Sequence, residues 1–493
     1  MRTKTPAIAL ISSPQSAYAR VVPAALLYLS SWLMQQGIES EIIDVKRNTY
    51  QIRSEPQIDS VIRQIILRLK ITKPPFVGLS CMTIDYRSVM KLARAIKEMY
   101  APVVIVGGIH ATVSPQDFLY PGSPVDIAVA GEGEETLTEI LSSSASPQEL
   151  SRIKGIAFRR DQEVVVNPAR PFLQLNRLSL PAYDKIDMHA YTRPQRGLVR
   201  FLLLSGAHIF TSRGCPYACT FCASSSQEVR NRPVSGVVEE LAFLKDNYGI
   251  DGFYIYDDTF CLDKRRVVEL LAGLKGRNLR FVWGVQTRVN LLDDDLIGQL
   301  KEGGCIQVDL GVESGSDKVL ERMKKGIAVS EILKAFTLLR KHRMRTYANI
   351  LFNTPGETKG DVRRTIEVMR KIRSTIYGIA LTVPFVGTPI YQDFVHPRLT
   401  ADEYAFYEKD IYHSVVDPRF RLAQHNLDLN KLYLNNFIRF GAWRHFIDVT
   451  ANTAYWRTVL KSTRKVEYLW EFFRGLFKLL DPLVRHVLYF VRS

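Results

Sequence analysis

The fold and the chemistry of this chain are both decided by residues 211–222, which read TSRGCPYACTFC. The thiols of Cys215, Cys219 and Cys222 are separated by three and two residues, in a segment that also contains a glycine and a proline. Thiolates are soft ligands suited to iron–sulfur clusters, and three of them on one loop can bind three corners of a cubane while the fourth iron stays open. Residues 211–222 therefore predict a loop that binds an iron–sulfur cluster.

A zinc site or simple core packing accounts less well for these cysteines. A structural zinc site needs four protein ligands, but the chain has no second CxxC and no nearby HxxxH, since Cys81, Cys261 and Cys305 are isolated. Buried packing cysteines are seldom spaced so closely in a turn with glycine and proline. Six cysteines, half of them within eight residues, also do not resemble a secreted disulfide framework, which indicates a reducing compartment.

The cysteine loop follows the first strand of a region, residues 207–391, in which strand and helix patterns alternate. Six such units are too few for a closed eight-stranded barrel, which needs roughly 250 residues. We therefore expect an open, six-stranded partial barrel whose functional face is the end where the strands finish. Its strands are predicted at residues 208–212, 252–257, 280–286, 306–313, 346–352 and 378–385, with helices at 235–248, 264–275, 330–341 and 359–372.

The first 150 residues alternate in the same way and predict a separate, doubly wound α/β domain. Its strands are expected at residues 7–12, 41–45, 76–81, 103–106 and 126–130, with helices at 23–37 and 86–99. A ligand of such a domain lies outside the carboxyl ends of the strands. The residues at those ends include glycines that allow close backbone approach: Ser80, Gly107, Gly108, Gly131 and Glu132.

The remaining segments complete a division into four parts. A hairpin is predicted at residues 153–166, followed by a proline-punctuated connector to about residue 200. We therefore expect a first domain at 1–150, a hairpin and linker at 151–200, the barrel at 201–392 and a helical region at 393–493. The last region is basic and aromatic, since residues 418–493 contain thirteen Lys and Arg, five Asp and Glu, and fifteen aromatic residues.

The composition of the 493 residues limits the functions to consider. At 46% hydrophobic and 24% charged, the chain is globular rather than fibrous or disordered. Its formal charge of +16 predicts attraction to nucleic acid, anionic membranes or acidic substrates. The N-terminus has no signal-peptide pattern, and no stretch of about eighteen uncharged apolar residues occurs. We therefore expect a cytoplasmic protein that does not span the membrane.

A C-x3-C-x2-C loop after the first strand of a six-unit barrel resembles the radical S-adenosylmethionine (SAM) superfamily. The resemblance implies a [4Fe-4S] cluster whose open iron binds SAM, and reductive cleavage of SAM to methionine and a 5′-deoxyadenosyl radical. It implies that Cys215, Cys219 and Cys222 are the cluster ligands and that Phe221 lies near the adenine. It also implies SAM contacts at the ends of the second, third and fourth strands, namely Asp257, Asp258, Thr259, Arg288, Glu313 and Ser314.

These SAM contacts have alternatives that the residues alone leave open. Adjacent acids such as Asp257 and Asp258 often cap a helix, because a carboxylate accepts hydrogen bonds from the free amides of the first turn. A carboxylate such as Glu313 at the end of a buried strand needs a partner, and Arg288 could simply offset its charge. The loops at 352–358 and 384–389 also resemble family loops near cofactor or substrate.

The N-terminal domain makes the resemblance more specific. A doubly wound domain directly before such a barrel resembles the cobalamin-binding domain of cobalamin-dependent radical SAM enzymes, and the two resemblances together cover roughly residues 5–392. They imply a corrin between the carboxyl edge of the sheet and the barrel mouth, beside the serine and glycine loops named above. The loop at 12–18, where many cobalamin proteins carry a cobalt-ligating histidine, contains none, and His110 lies in a different loop.

In that subclass the commonest reaction is methylation of an unactivated carbon or of phosphorus, which we expect here on a secondary-metabolite or lipid-like substrate. The alternative is radical chemistry without methyl transfer, such as oxidative cyclisation, ring contraction or deoxygenation. The expected partners are a small-molecule or lipid-like substrate and an external electron donor of the flavodoxin or ferredoxin type. Nucleic acid is not expected, because tRNA methylthiotransferases carry three more cluster cysteines in the N-terminal domain, where this chain has only Cys81. A non-catalytic sensor is disfavoured, because a complete cluster loop would then be an idle liability to oxygen.

Residues 466–480 predict a helix that is apolar on much of its circumference. The helix could cover the open side of the barrel, with Trp470 and Phe473 in the core and basic side chains snorkelling. It could instead lie at the surface of an anionic membrane and make the protein peripheral to the inner face. The first arrangement is preferred, because an open barrel has an edge that some element must cover.

Overall fold

Each alternating region of the sequence forms one sheet in the computed structural model. The structure describes residues 5–14, 21–45, 54–395, 401–404, 420–425, 447 and 449–472. The first sheet contains β1 (Ile8–Ile11), β2 (Ser40–Ile43), β3 (Phe76–Ser80), β4 (Val103–Gly107), β5 (Ile127–Val129), β6 (Ile156–Arg160) and β7 (Glu163–Val166). Their order in space is β2-β1-β3-β4-β5-β6-β7, and the strands from β1 to β5 are parallel. Helices cover both faces of the sheet. The strands are therefore buried on both sides, as expected for short apolar runs.

The helices of this first domain are α1 (Ala24–Gln35), α2 (Glu55–Thr72), α3 (Tyr86–Met99), α4 (Ile109–Val113), α5 (Glu134–Leu141) and α6 (Pro147–Leu150). The hairpin of β6 and β7 was expected in a linker beyond residue 150, but β6 pairs antiparallel with β5. The first sheet therefore continues to Val166, because the hairpin covers the edge that β5 would otherwise leave open.

The second sheet is a parallel, open partial barrel with the order β10-β13-β14-β15-β16-β17. The strands of this half of the chain are β8 (Gln195–Val199), β9 (Leu202–Leu204), β10 (Gly206–Ile209), β11 (Ser212–Arg213), β12 (Arg230–Asn231), β13 (Gly252–Ile255), β14 (Val282–Thr287), β15 (Cys305–Glu313), β16 (Arg345–Phe352) and β17 (Ile376–Leu381). The predicted fold class, a doubly wound domain followed by six βα units, is confirmed.

Further helices in the described residues include α7 (Met188–Thr192), α8 (Val234–Tyr248), α9 (Lys264–Gly276), α10 (Asp294–Glu302), α11 (Asp317–Arg322), α12 (Val329–Lys341), α13 (Lys359–Ile372), α14 (Pro389–Phe394) and α15 (Thr453–Lys461). One hydrophobic cluster runs from α1 of the first domain through Tyr183 to α8 and the outer face of the barrel. Burying a side chain such as Leu244 in this cluster contributes about 1.5–3 kcal/mol. The two domains are therefore joined by a shared core as well as by the chain.

The described C-terminal residues dock at the amino-terminal end of the barrel. Tyr455 in α15 donates a hydrogen bond to the Leu203 carbonyl at 3.0 Å, and the Tyr468 hydroxyl accepts one from the Ser205 amide at 2.9 Å. Trp470 is 68% exposed, so the prediction that it lies in the core is wrong, and Phe473 lies outside the described residues. No helix in the described part of the chain is long and apolar enough to cross a bilayer.

Replacing Tyr468 by Phe should loosen this docking. The Tyr468 hydroxyl also donates to Asp251 at 3.2 Å, so its loss leaves a buried amide and a carboxylate each short of a partner, at a cost of about 1–3 kcal/mol. We expect trypsin to cleave at Lys461 and Lys465 about tenfold faster than in the wild type, measured by mass spectrometry. Trp470→Phe is the control and should leave the rate unchanged; equal rates for both variants would contradict the prediction.

Candidate active site

The cysteine loop is closed at its base by the short antiparallel strands β11 and β12. Within the loop, the Gln227 amide donates a hydrogen bond to the Cys215 carbonyl at 2.8 Å. Gly214 has a φ of +92°, and a Cβ at this position would lie 2.1 Å from the Glu228 carbonyl oxygen. The backbone that presents the first cysteine therefore requires glycine at 214.

The three thiols are close enough to influence one another. Cys219 is buried, and Cys215 and Cys222 are partly buried. Burial, followed by the nearby Asp258 carboxylate and the other two sulfurs, raises the pKa of the Cys222 thiol to about 11. At neutral pH this thiol is therefore mostly protonated, and a coordinated metal would stabilise its thiolate.

The donor set fits a cubane better than a single ion. Among the described residues, no three His, Cys, Asp or Glu side chains converge on the position of one metal ion. In a cubane each cysteine binds a different iron, so its ligands need not meet at one point. Three neighbouring thiols on one loop are suited to a [4Fe-4S] cluster with one open iron.

Asp257 attaches the start of the cysteine loop to the end of β13. Its carboxylate accepts hydrogen bonds from the Thr211 amide at 2.6 Å, from the Thr211 hydroxyl, and from the Ser212 hydroxyl at 2.7 Å. Burial raises the pKa of Asp257, although these donors act in the opposite direction. The cap of α9 is Asp263, so the helix-capping alternative for Asp257 is wrong. Asp257 has both oxygens engaged within the protein and positions the loop.

Asp258 and Thr259 lie beside the first cysteine of the loop. Asp258 is exposed and accepts hydrogen bonds from the Ser224 hydroxyl and the Gly214 amide. Thr259 Oγ1 lies 3.6 Å from Cys215 Sγ. Both residues are therefore next to the predicted cluster position, and their contacts with SAM stay predictions.

Arg288 packs over the cysteine loop from the end of β14. Its guanidinium carbon lies 3.6 Å from the centre of the Tyr217 ring, and its Nη1 lies 3.6 Å from Cys219 Sγ. Its Nη2 donates to the Lys325 carbonyl. Arg288 is therefore held by the loop and by Lys325, and it does not pair with Glu313.

Glu313 pairs with Lys325, a partner that the sequence did not identify. Glu313 Oε1 lies 2.7 Å from Lys325 Nζ, and each of these side chains is 7% exposed. Glu313 has a φ of +61°, and a Cβ on Gly311 would come within 2.4 Å of its carboxylate. The alternative that Arg288 offsets Glu313 is therefore wrong. Lys325 Nζ also lies 5.8 Å from the centre of the Phe221 ring.

Buried polar atoms without a hydrogen-bond partner occur at this same end of the barrel. Ser314 is not among them, because its Oγ lies 3.2 Å from Thr365 Oγ1. A buried polar atom without a partner costs free energy unless a ligand or water pairs with it, so the unpaired atoms where SAM is expected fit a bound polar cofactor. Among the described residues, the unpaired atoms at this end include Thr220 Oγ1, Arg288 Nε, Thr354 Oγ1 and Thr382 Oγ1.

The loop after β16 binds residues 420–425 of the C-terminal region. Asn353 Oδ1 accepts a hydrogen bond from the Leu422 amide at 3.0 Å, and Glu357 Oε2 lies 3.1 Å from His425 Nε2. Glu357 is fully buried, and burial raises its pKa to about 8. Burial also lowers the pKa of His425, so burial favours the uncharged forms of both groups. Sequence reasoning missed this contact, whose halves are 68 residues apart.

The carboxyl edge of the first sheet has room for a ligand at only some of the predicted positions. Ser80 and Gly107 are paired neighbours in the ladder between β3 and β4. A Cβ on Gly108 would lie 2.6 Å from the Cys81 carbonyl oxygen, whereas one on Gly131 would meet no atom of the described residues within 4 Å. Gly108 is therefore required by the protein itself, and Gly131 borders open space that a ligand can approach.

Glu132 joins the first sheet to the cysteine loop. Its carboxylate accepts hydrogen bonds from Arg213 on β11 at 2.7 Å and from Arg230 on β12 at 2.8 Å, and Glu134 binds the second Nη of Arg213 at 2.7 Å. Burial alone would raise the pKa of Glu132, but the two guanidinium groups outweigh it and the pKa is lowered. Glu132 is predicted to contact a cofactor, but in the structure its carboxylate is bound to the protein.

His110 is fully buried and does not face the edge as a free ligand. Its Nδ1 lies 3.0 Å from Thr83 Oγ1 and its Nε2 lies 3.2 Å from Asp117 Oδ2. Of the loop at 12–18, residues 15–18 lie outside the described residues. Ser12 Oγ is buried there without a partner among the described residues, which fits a polar group of a ligand at this edge.

Comparisons with known proteins agree with this geometry. A model of the radical SAM superfamily matches residues 209–369, and a model of the B12 binding domain matches residues 15–141. The chain is 30% identical over 398 residues to an uncharacterized methyltransferase of Pyrococcus horikoshii, and the match covers 78% of this chain and 82% of that protein.

Two further relatives and one solved structure are similar over most of the chain. An anaerobic magnesium-protoporphyrin IX monomethyl ester cyclase of Rubrivivax gelatinosus is 26% identical, covering 75% of this chain and 66% of the relative. A cytidylyl-2-hydroxyethylphosphonate methyltransferase of Streptomyces wedmorensis is 24% identical, covering 80% and 82%. The structure of the radical SAM methyltransferase TsrM from Kitasatospora setae, with cobalamin and a [4Fe-4S] cluster bound, superposes with a TM-score of 0.63 at 20% identity, covering 79% and 78%.

Replacing Glu357 by Gln should make the thermal stability of the protein less dependent on pH. In the folded protein the pKa of Glu357 is raised to about 8. The neutral form therefore stabilises the folded state fully below the pKa of the unfolded chain, and this stabilisation is lost as the pH rises through 8. Between about pH 6.5 and about pH 8.5 we expect the wild-type melting temperature to fall further than that of the variant.

Scanning calorimetry measures this difference. The control is Glu163→Gln, an exposed residue of β7, which should keep the wild-type pH dependence. A Glu357→Gln protein that loses as much stability as the wild type over this range would show that Glu357 is already ionised.

Proposed function

The chain belongs to the radical SAM enzymes that carry an N-terminal cobalamin-binding domain, and from that membership we propose that it methylates an unactivated carbon or phosphorus of a small-molecule substrate. Its cofactors are a [4Fe-4S] cluster, SAM and cobalamin. When bound, the cluster and SAM supply radical chemistry and the cobalamin supplies the methyl group. The chain itself binds and orients these groups and excludes water.

The observation that carries the proposal is the contact between the cysteine loop and the carboxyl edge of the first sheet. Glu132 follows β5 and binds both strands that close the cysteine loop, and its neighbour Gly131 borders open space. An enzyme that uses two cofactors on one substrate needs both to face the same cavity at a fixed separation. The ion pairs of Glu132 support this arrangement.

The residues of the mouth act mainly as positioning groups. Asp257 fixes the start of the cysteine loop, Lys325 neutralises Glu313 at the end of β15, and residues 420–425 bind the loop after β16. Each of these contacts is buried, so the backbone around the expected SAM position is set before a ligand arrives. The remaining unpaired polar atoms are left to the cofactors.

The substrate class and the electron donor also belong to this proposal. The 30% identical relative is named a methyltransferase, which supports methyl transfer over the cyclisation performed by the Rubrivivax relative. The substrate is a secondary metabolite or a lipid-like molecule, in keeping with a family whose relatives include a phosphonate methyltransferase. The electron comes from an external carrier of the flavodoxin or ferredoxin type.

Anaerobic protein loaded with cobalamin should form both S-adenosylhomocysteine and 5′-deoxyadenosine from SAM when a one-electron donor is added. Cys219→Ala removes a cluster ligand, so we expect loss of iron, of the visible absorption of the cluster and of both products. Cys305→Ala, which alters a buried thiol at the start of β15, is the control and should retain them. Formation of 5′-deoxyadenosine without S-adenosylhomocysteine would contradict methyl transfer.

We also propose that the chain contacts an anionic membrane through its tail surface, defined as Trp456, Leu460, Val466, Leu469, Trp470 and Phe472. These side chains are between 39% and 79% exposed. Val466, Leu469 and Trp470 follow the spacing of one helix face, opposite the buried Tyr468. Large apolar side chains beside exposed basic ones are typical of helices that lie in a membrane interface.

The charge of the tail surface favours anionic lipid as its partner. Arg457, Lys461 and Lys465 are exposed in the same segment, whereas Glu467 is paired with Arg464 at 3.2 Å. The tail surface is at the amino-terminal end of the barrel, where Tyr455 and Tyr468 dock. Membrane contact there leaves the mouth of the barrel accessible.

Flotation with vesicles containing phosphatidylglycerol tests this contact. The pair Leu469→Ser and Trp470→Ser should reduce the bound fraction about tenfold, because two apolar anchors are lost. The matched control changes Leu67 and Ile71, which are 62% and 76% exposed on α2, to Ser and should float like the wild type. Equal flotation of both variants, or a wild-type dimer that the tail variant dissociates, would overturn the membrane contact.

A further inference from the structure

The inner face of the barrel is accessible to solvent along β16. Tyr347, Asn349 and Leu351 point into the barrel and are partly exposed, whereas Ala348 and Ile350 between them are buried beneath the outer helices. A closed βα barrel has layers of branched apolar side chains that fill its interior. In this barrel the inner face of β16 is instead partly exposed, so a ligand can reach it.

The hairpin of β8 and β9 closes the amino-terminal end of this interior. Leu198, Leu202 and Leu204 pack in one hydrophobic cluster with barrel residues at the start of β14 and β15. Arg200 lies at the turn of the hairpin, between β8 and β9. Its side chain therefore leaves an apolar plug and extends into the barrel.

Arg200 places a guanidinium group at the floor of the interior. Its Nε donates to Asp309 Oδ2 at 3.1 Å, and its guanidinium carbon lies 4.6 Å from the centre of the Tyr347 ring. The Arg200 side chain is 37% exposed, whereas that of Asp309 is 2% exposed. Among the described residues, none accepts a hydrogen bond from its Nη1 or Nη2. These two nitrogens are donors that a ligand can use.

His208 adds a polar atom without a partner beside this floor. It is 7% exposed, and its ring centre lies 5.4 Å from that of Tyr256. Its buried Nδ1 has no hydrogen-bond partner in the described part of the chain. Burial and the nearby charge of Arg200 lower the pKa of His208 to about 4, so the imidazole is neutral at pH 7. A buried nitrogen of this kind costs free energy until a ligand pairs with it.

We infer that the barrel interior binds the substrate and that Arg200, with His208 beside it, binds an oxyanion group of that substrate. Tyr256, Tyr347 and Leu351 give the interior aromatic and apolar walls, which favour an elongated apolar molecule with one acidic end. The inference rests on the proposed function and specifies its substrate class.

The depth of the floor sets the length of this molecule. Asp309 lies four residues before Glu313 in β15, which corresponds to about 13 Å at the usual rise of a strand. The acidic group therefore lies about that far from the expected SAM position. Arg200 acts as a positioning and specificity-determining residue and does not touch the reacting atoms.

The test compares two variants that both replace Asp309, the acidic partner of Arg200, by Asn. Asp309→Asn leaves Arg200 with its charge uncompensated, whereas the double variant Arg200→Gln with Asp309→Asn removes both charges. The probes are 8-anilino-1-naphthalenesulfonate, an aromatic anion, and N-phenyl-1-naphthylamine, which lacks its sulfonate. Equilibrium dialysis of the full-length, cluster- and cobalamin-loaded protein gives the dissociation constants, and iron content shows that each variant has folded.

We expect the anionic probe to bind Asp309→Asn at least as tightly as the wild type and the double variant about tenfold more weakly, because a charge-assisted hydrogen bond is lost. The neutral probe should bind both variants equally. Arg196→Gln, an exposed arginine on the same hairpin, is the control and should bind like the wild type. Equal binding of the anionic probe to the two Asp309 variants would overturn the inference. If the Asp309→Asn change prevents folding, the pair Arg200→Lys and Arg200→Gln gives the same comparison.

Competition distinguishes the kinds of oxyanion. Displacement of the anionic probe from the wild type by hexanoate assigns the floor to a carboxylate, and displacement by hexyl phosphate assigns it to a phosphate. Displacement by neither would overturn the inference. Because binding is measured without an electron donor, failure here leaves methyl transfer intact, and absence of S-adenosylhomocysteine in the assay above leaves the binding result intact.

Discussion

Both cofactor-binding halves of the molecule depend on one group of ion pairs, in which Glu132 and Glu134 of the first domain bind Arg213 and Arg230 at the base of the cysteine loop. Burying charges is costly, and the cost is recovered only when the geometry is good and the remaining donors are satisfied. Here each carboxylate is matched by guanidinium donors at 2.7–2.8 Å. Removing one partner would leave an uncompensated charge at a cost of about 3–5 kcal/mol. The edge of the first sheet and the cysteine loop are therefore held at a fixed separation, which a reaction using two cofactors on one substrate requires.

The sequence predicted the fold wherever the information is local. Helices α3 and α13 have the bounds expected from their apolar stripes, and the strands are within a few residues of the predicted runs. Helix α2 was not predicted, although its buried side chains follow a helical spacing, at Ile58, Val61, Ile62, Ile65 and Leu69. The places of the two hairpins could not be predicted. The hairpin of β6 and β7 joins the first sheet and that of β8 and β9 plugs the barrel, because each fills an edge or a gap created by strands distant in sequence.

The same distinction between local and long-range information applies to the candidate site. The spacing of Cys215, Cys219 and Cys222 was sufficient to predict a metal-cluster loop, because three ligands on one short loop need no distant partner. The partners of the acidic residues were not predictable, since hydrogen bonds join Asp257 to Thr211 and Arg213 to Glu132 across 46 and 81 residues. Neither Lys325, which binds Glu313, nor His425, which binds Glu357, carries a motif that marks it. A charged residue can be identified from sequence as one that needs a partner, but the choice of partner is a property of the fold.

The carboxylates at the mouth have a consequence for how the site works. The family resemblance implied that Asp257, Glu313 and Glu132 contact cofactors, yet each is bound to donors of the protein. Their effect is to fix backbone: the start of the cysteine loop, the positive-φ turn after β15, and the joint between the domains. What is left for polar ligands is backbone beside Gly131 and isolated atoms such as Arg288 Nε and Thr354 Oγ1. Apart from the Arg288 guanidinium these groups are uncharged, so recognition of a charged cofactor depends largely on its shape and on many weak contacts. A rigid frame is then essential, because weak contacts add up only when all of them are made at once.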